Sequence, residues 1–207
     1  MRISRATPKA IKYACINFHY AKAVPMVKYG FNVFNNDEWC GVICYGYGAA
    51  PRIASPFNLC QGEVLELVRV ALNGKQNITS QALAMTLREL HRIAPQIKII
   101  VSYADLDQKH AGIIYQATNW VYLGQYTEGE AVAVIINGKK THKKTINDRY
   151  GTSNIEWLRK HIDRNAKPFI TKGKHKYVFI FDKKLKKKLM KQSKPYPKNE
   201  IKEKVRE

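Results

Sequence analysis

Residues 97–123, reading IKIIVSYADLDQKHAGIIYQATNWVYL, constrain the fold of this chain more than any other stretch. Positions 97–101 are nearly all apolar and β-branched, the composition of a strand buried on both faces. Ser102, Tyr103, Ala104 and Asp105 follow at the carboxyl end of that strand. Residues 107–112 supply a short loop with a helix-starting Asp107 and a conformationally permissive Gly112. Positions 112–118 read as a helix whose N-terminus points back at the strand end, and 121–126 as strand again. A helix N-terminus facing the carboxyl end of a strand suits an anionic group. The stretch predicts the ligand-holding core of an α/β domain.

The flanking sequence supplies partners for that core. Residues 1–6 read as a short basic start, and Thr7-Pro8 opens a helix over 9–18 with Ala10, Ile11, Ala14, Cys15 and Phe18 on one face. His19 and Tyr20 fall where this helix ends and the chain turns before Pro25. Positions 26–34 and 39–47 read as a hairpin turned at Asn35-Asn36-Asp37-Glu38, its second strand ended by Gly46, Gly48, Ala49, Ala50 and Pro51. A strand is expected over 63–72, then a helix over 80–93 capped by Ser80, with Leu83, Leu87 and Leu90 inward. After the central unit come a strand over 131–136, a turn at Asn137-Gly138 and a basic return strand over 139–145. A short helix capped by Ser153 and a core strand over 176–181 follow. Residues 183–191 read as a basic helix, with disorder after it. The expected fold is α/β (α+β): a central mixed, mostly antiparallel sheet flanked by helices, with a basic C-terminal extension.

Charge narrows the partner. The 207 residues carry 36 Lys and Arg against 16 Asp and Glu, net +20. Residues 1–137 hold 13 basic and 9 acidic groups, whereas residues 138–207 hold 23 and 7. That asymmetry favours a polyanionic partner held by the C-terminal third, nucleic acid above all; a solvated lysine-rich surface is the plain alternative. The four cysteines form no CxxC pair, and Cys15, Cys40 and Cys44 lie in apolar patterns where free Cys acts as a small hydrophobe, so they read as structure and not as a zinc site. With no signal peptide and no apolar run of spanning length, the chain is expected in the cytoplasm, that of a bacterial host under the resemblance described next, with no membrane partner.

The order of elements resembles the acetyltransferase fold of the GNAT superfamily. In that fold a central strand splays from its neighbour, and the loop after it offers backbone N–H groups to the pyrophosphate of coenzyme A. The corresponding segment is Gln108-Lys109-His110-Ala111-Gly112; against the pattern Q/R-x-x-G-x-G/A, Ala111 replaces the first Gly and Ile113 the last small residue. More narrowly, residues 8–182 resemble the Mom DNA-modification family of bacteriophages. The resemblance lies in Phe18-His19-Tyr20 with Pro25, Leu67-Val68-Arg69-Val70, Ser102-Tyr103-Ala104-Asp105 and Gly112-Ile113-Ile114-Tyr115-Gln116-Ala117-Thr118-Asn119-Trp120. It implies a catalytic domain over 1–182, including a basic hairpin appendage over 131–150, and a lysine-rich tail over 183–207.

The resemblance also implies an activity: conversion of adenine N6 in double-stranded DNA to a carbamoylmethyl derivative, protecting phage DNA from restriction. His19, Tyr20, Asp105 and Tyr115 are the expected catalytic residues, with Asp105 or His19 as base and Tyr115 as acid. Arg69, Ser102, Tyr103, Gln108 and Gly112 are expected to hold the donor, acetyl-CoA or a related acyl donor. Gln116, Asn119 and Trp120 are candidates for a base pocket, since N6 in duplex DNA is reached by flipping the base out. Lys139, Lys140, Lys143 and Lys144, with Lys183, Lys184, Lys186, Lys187 and Lys188, are expected on phosphates. Plain acetyl transfer does not yield an N6–methylene bond, which leaves a metal, a radical or another donor such as a charged tRNA open; His19 with Asp105 could contribute to an iron site, though two residues do not define one. The rival readings are a conventional N-acetyltransferase on a protein or small amine and a non-catalytic DNA-binding protein.

Overall fold

The computed structural model describes residues 1–48, 50 and 52–198. Ala49, Pro51 and residues 199–207 of the expected tail lie outside the described residues. In chain order the elements are β1 (Arg2–Arg5), α1 (Pro8–Asn17), β2 (Tyr29–Asn35), β3 (Glu38–Gly46), β4 (Val64–Leu72), α2 (Thr79–Ile93), β5 (Ile99–Asp105), α3 (Ile113–Gln116), β6 (Val121–Tyr126), β7 (Ala131–Ile136), β8 (Lys139–His142), α4 (Lys143–Tyr150), α5 (Ile155–His161), β9 (Lys167–Ile170), β10 (Lys174–Ile180) and α6 (Lys183–Met190). The chain divides into two compact units. The first comprises Met1–Tyr103, Gly112–Gly124 and the chain from Lys176 on; the second comprises Ala104–Ala111 and Gln125–His175. Among the described residues no helix is long and apolar enough to cross a membrane.

The first unit is built on a seven-stranded sheet, ordered β1-β2-β3-β4-β5-β10-β6. Strands β1, β2, β3 and β4 pair antiparallel in succession. The β2–β3 hairpin turns at Asn36 and Asp37, both at positive φ (47° and 62°), as a tight two-residue turn demands. Strand β4 pairs with β5 in parallel at three positions only: Val64 with Ile99, Leu65 with Ile100 and Glu66 with Val101. Both strands continue beyond that point, so the sheet opens between them on the side where Ser102 and Tyr103 follow. This is the splay that the resemblance to the acetyltransferase fold implies.

Helices cover both faces of this sheet. Ile11, Ala14 and Cys15 of α1 pack on Val42, Cys44, Val68 and Ala71. The alternation along β3 sends Tyr45 the other way, where its hydroxyl meets Thr86 of α2 at 2.7 Å in the core. The second unit carries the three-stranded sheet β8-β7-β9, with Ile146 and Leu158 from α4 and α5 buried beside Val134 and Ile136.

Several expectations are corrected. Residues 2–5 form an edge strand, with the Arg2 guanidinium 4.3 Å over the Phe34 ring, and not a loose basic start. Helix α2 begins after Ile78 with no side-chain cap, so Ser80 does not cap it. The expected helix over 112–118 is one turn only: Thr118 bonds back to the Ile114 carbonyl at 2.7 Å and Asn119 takes a positive φ of 58°. The return strand stops at His142, whose Nδ1 accepts from the Lys144 N–H and starts α4; Lys143 and Lys144 are therefore helical and not on a ribbon. Asn154 caps α5 in place of Ser153, and the sequence reading had no counterpart for β9.

The C-terminal segment also differs. Helix α6 is capped by Asp182 and turns Leu189, 4% exposed, into the core around Val64, Ile99 and Val178, with Leu185 beside it. The five lysines of α6 face solvent. Residues 192–198 are packed, not loose. Lys194 N–H donates to the Tyr122 carbonyl at 2.9 Å, and the Tyr196 hydroxyl to the Trp120 carbonyl at 2.6 Å.

Candidate functional site

Tyr115 is the centre of the site in the first unit. Its ring lies against Trp120 and Tyr177, with centroids 5.0 and 5.1 Å away. Gly112 makes this packing possible: at φ 75°, a Cβ there would stand 2.5 Å from the Tyr177 ring and 3.0 Å from that of Tyr115. Ser102, 1% exposed in the middle of β5 and just past its last pair with β4, donates to the Tyr115 hydroxyl at 2.9 Å. Burial pushes the Tyr115 hydroxyl up to about 12; the Ser102 bond opposes this, while Tyr20 and Glu66 add to it. At neutral pH Tyr115 is therefore a protonated group held in one orientation.

Glu66 is a site residue that the sequence did not single out. It occupies the last pair before β4 and β5 part, and its carboxylate acts on Tyr115. It also packs against Gly48, where any Cβ would collide with the Glu66 carboxylate. The signal was present, since Glu66 and Arg69 are the two charged residues in the apolar run VLELVRVAL.

Arg69 faces elsewhere. Its Nε donates to the Ala23 carbonyl at 3.3 Å and its terminal nitrogen to the Val68 carbonyl at 2.6 Å. It ties the loop carrying His19 and Tyr20 to the sheet, which is a positioning role. The adjoining thiols are not nucleophiles: burial pushes Cys44 up to about 12, with Cys15 adding to the shift and Arg69 reducing it.

His19 and Tyr20 stack at 4.3 Å in the turn after α1. His19 Nδ1 accepts from the Ala21 N–H at 3.1 Å, so the neutral ring carries its proton on Nε2. In that tautomer Nε2–H is a hydrogen-bond donor. Tyr20 is 51% exposed and lies within electrostatic reach of Tyr115.

The remaining predicted residues divide. Tyr103 is half-buried against the cluster around Val101 and Val178. Gln116 donates to the Tyr177 hydroxyl at 3.2 Å and to the Pro197 carbonyl at 3.4 Å. Asn119 is an exposed turn residue. Trp120 is fully buried and backs the Tyr115 ring, so it does not line an open base pocket.

Asp105 belongs to the second unit, where it turns the chain: its Oδ1 accepts from the Asp107 N–H at 3.0 Å. The amides of Lys109 and His110 bond to the Leu106 and Asp105 carbonyls, and that of Leu106 to Gly173. These four amides are taken up within the unit and are not offered to a pyrophosphate, and no step below runs through coenzyme A. Gln108 is exposed. Among the described residues no three His, Cys, Asp or Glu side chains gather as metal ligands. His19 Nδ1 and Asp105 Oδ1 each accept from a nearby amide, and no step below runs through iron.

Of the lysines expected on phosphates, Lys140 is engaged within its own unit, 3.5 Å from Asp107 and 3.6 Å over the Phe169 ring. Lys139 and Lys144 are exposed and Lys143 half-buried; Lys183, Lys184, Lys186, Lys187 and Lys188 all stand exposed on α6.

The Mom protein family matches the chain over residues 1–198. A curated relative, the Methylcarbamoylase mom of Escherichia phage Mu, is 25% identical over 189 residues, covering 87% of this chain and 76% of that protein. Among solved structures, a Bacillus subtilis acetyltransferase in complex with CoA aligns with a TM-score of 0.46 at 10% identity, covering 87% of this chain and 99% of that one. The aminoglycoside 6'-N-acetyltransferase from Enterococcus faecium aligns with a TM-score of 0.44 at 10% identity, covering 87% and 97%. Matched over nearly all of its length, the chain belongs to the Mom protein family.

Proposed function

We propose that this chain is a DNA-modifying transferase that converts adenine N6 in double-stranded DNA to an N6-carbamoylmethyl derivative and thereby shields phage DNA from restriction. The observation that supports this reading best is its family membership over residues 1–198, with a relative named a methylcarbamoylase. The reaction joins N6 to the methylene carbon of a carbamoylmethyl donor, breaks that carbon's bond to its leaving group and removes one N6 proton. The site must therefore accept that proton and supply one to a leaving group that departs as an anion. Glu66 is the acceptor in this reading. Tyr115, its hydroxyl held near 12 and oriented by Ser102, is the donor.

N6 is paired and stacked in duplex DNA, so the adenine is extruded at a cost of roughly a few kcal/mol. The exposed Tyr20 ring, stacked on His19, offers the extruded base a surface. The lysine face of α6 lies along phosphates. Those lysines crowd a helix start with no acidic residue in the first turn, an arrangement a polyanion relieves.

Mass spectrometry of nucleosides from plasmid DNA tests the proposal after expression of the chain in a bacterial host. An adenine nucleoside heavier by one acetamido group is the expected product. Unmodified DNA from cells rich in folded protein would return the chain to the acetyltransferase or DNA-binding readings.

A further inference from the structure

Helix α5 turns its largest side chain outward. Leu158 is fully buried, whereas Trp157 is 36% exposed at the rim of an open groove of about 590 Å³ in the second unit. The groove lies at the corner between α4 and α5, where Gly151 takes a φ of 73° to end α4 and Asn154 caps α5. Its wall is aromatic. His161, one turn on from Trp157, stacks on it at 4.5 Å and 23°, and Tyr150 stands at 43° with its centroid 6.4 Å away. The platform is fixed: His161 Nδ1 lies 2.8 Å from the Trp157 carbonyl, and because a carbonyl only accepts, Nδ1 carries the proton. In the neutral ring Nε2 is then an acceptor. Lys160 and Glu156, also one turn apart, complete the lining used here. Residues 139–174 around the groove hold eleven Lys and Arg against three Asp and Glu.

We propose that this groove is a nucleobase-stacking site, taking one unstacked nucleotide of a DNA strand with its base on the Trp157–His161 platform and its phosphate at Lys160. Flat aromatic rings beside cations are the surface that binds single-stranded nucleic acid with little regard to sequence. The volume accommodates a nucleotide. The basic surroundings favour a phosphodiester over a cationic or neutral ligand. Glu156 and His161 Nε2 accept from the amino edge of a base. That the strand is DNA rests on the function proposed above, but the groove uses none of the residues placed in that chemistry. Its role is to hold a nucleotide freed from the stack, whether in a flipped site or in a single-stranded stretch.

The full-length chain is titrated with a short fluorescein-labelled oligodeoxycytidine, read by anisotropy and by tryptophan fluorescence. The wild type is expected to bind with quenching of Trp157. Trp157→Ala is expected to weaken binding by about ten-fold or more, whereas Trp157→Phe retains most of the affinity. Lys160→Ala is expected to lower the slope of log affinity against log salt by about 0.7. Unchanged affinity in Trp157→Ala, with the wild type binding, would overturn the stacking site and leave the proposed function standing. Equal weakening in Trp157→Phe and Trp157→Ala would assign the loss to packing and also overturn it. A wild type that binds neither this strand nor duplex DNA would overturn both proposals.

Discussion

The Ser102 hydroxyl donates to the Tyr115 hydroxyl at 2.9 Å, and both residues are closed off from bulk water. The bond joins the middle of β5 to the single turn of α3. It fixes the direction of a proton that burial keeps on the phenol.

Removing that proton tests its use. Tyr115→Phe keeps the ring packing against Trp120 and Tyr177 and is expected to fold, while adenine modification falls by about 100-fold or more. Ser102→Ala should give an intermediate loss, because the phenol remains but is no longer oriented. Retained modification in Tyr115→Phe, by nucleoside mass spectrometry, would remove Tyr115 from the acid role.

Alkaline stability follows from the same burial. Tyr115 and Tyr177 are both pushed up to about 12 by desolvation, above the value of about 10 for an unfolded tyrosine. The folded state therefore holds these protons more tightly. Its advantage is complete below about pH 10 and is lost as pH rises toward about 12. Urea midpoints should decline across that window, and Tyr115→Phe should decline less steeply than the wild type. Parallel profiles would mean that Tyr115 does not contribute.

Gly48 and Glu66 are tied sterically. Gly48→Ala places a Cβ on the Glu66 carboxylate at a φ of 72°, so it should cost about 1–2 kcal/mol and reduce modification together with stability. Glu66→Gln keeps the shape and removes the charge. It should spare the thermal midpoint and lower modification by about 100-fold if the carboxylate takes the N6 proton. Equal activity at matched stability would exclude that role.

Arg69 should act at a distance. Arg69→Gln loses the bond to the Ala23 carbonyl and is expected to cost about 1 kcal/mol. Hydrogen exchange over residues 18–25 should quicken, with slower exchange elsewhere little changed. Unchanged exchange in that loop would show that the guanidinium does not anchor it.

Helix α6 separates folding from binding. Leu189→Ala should cost about 2–4 kcal/mol, because the side chain is buried among Val64, Ile99 and Val178. Changing Lys184, Lys187 and Lys188 to Gln should leave the thermal midpoint nearly unmoved and lower the salt slope of duplex binding by about 0.9 for each lysine that meets a phosphate. Removing the whole segment would mix the two effects. An unchanged slope in the triple variant would take α6 out of the DNA interface.

Much of this architecture was legible in local pattern. The β-branched run of β5, the Asn137-Gly138 hairpin and the leucine spacing of α2 each specify an element over a few residues. Local pattern also marked Ser102 and Tyr115, since polar and aromatic residues at the end of a buried strand and in the helix after it are rarely asked for by packing. It could not place Glu66 beside Tyr115, because that outcome depends on where β4 and β5 separate.

Tertiary structure decided the rest. Strand β10 enters the sheet between β5 and β6, and residues 192–198 bond to β6 and α3, although they lie tens of residues away in the chain. The lysine-rich segment looked like a solvated tail until Leu185 and Leu189 found a core to enter. The physical reason is common to all three. Periodicity fixes which face of an element is apolar, but which distant surface will cover that face is settled only when the whole chain collapses and its backbone groups find partners.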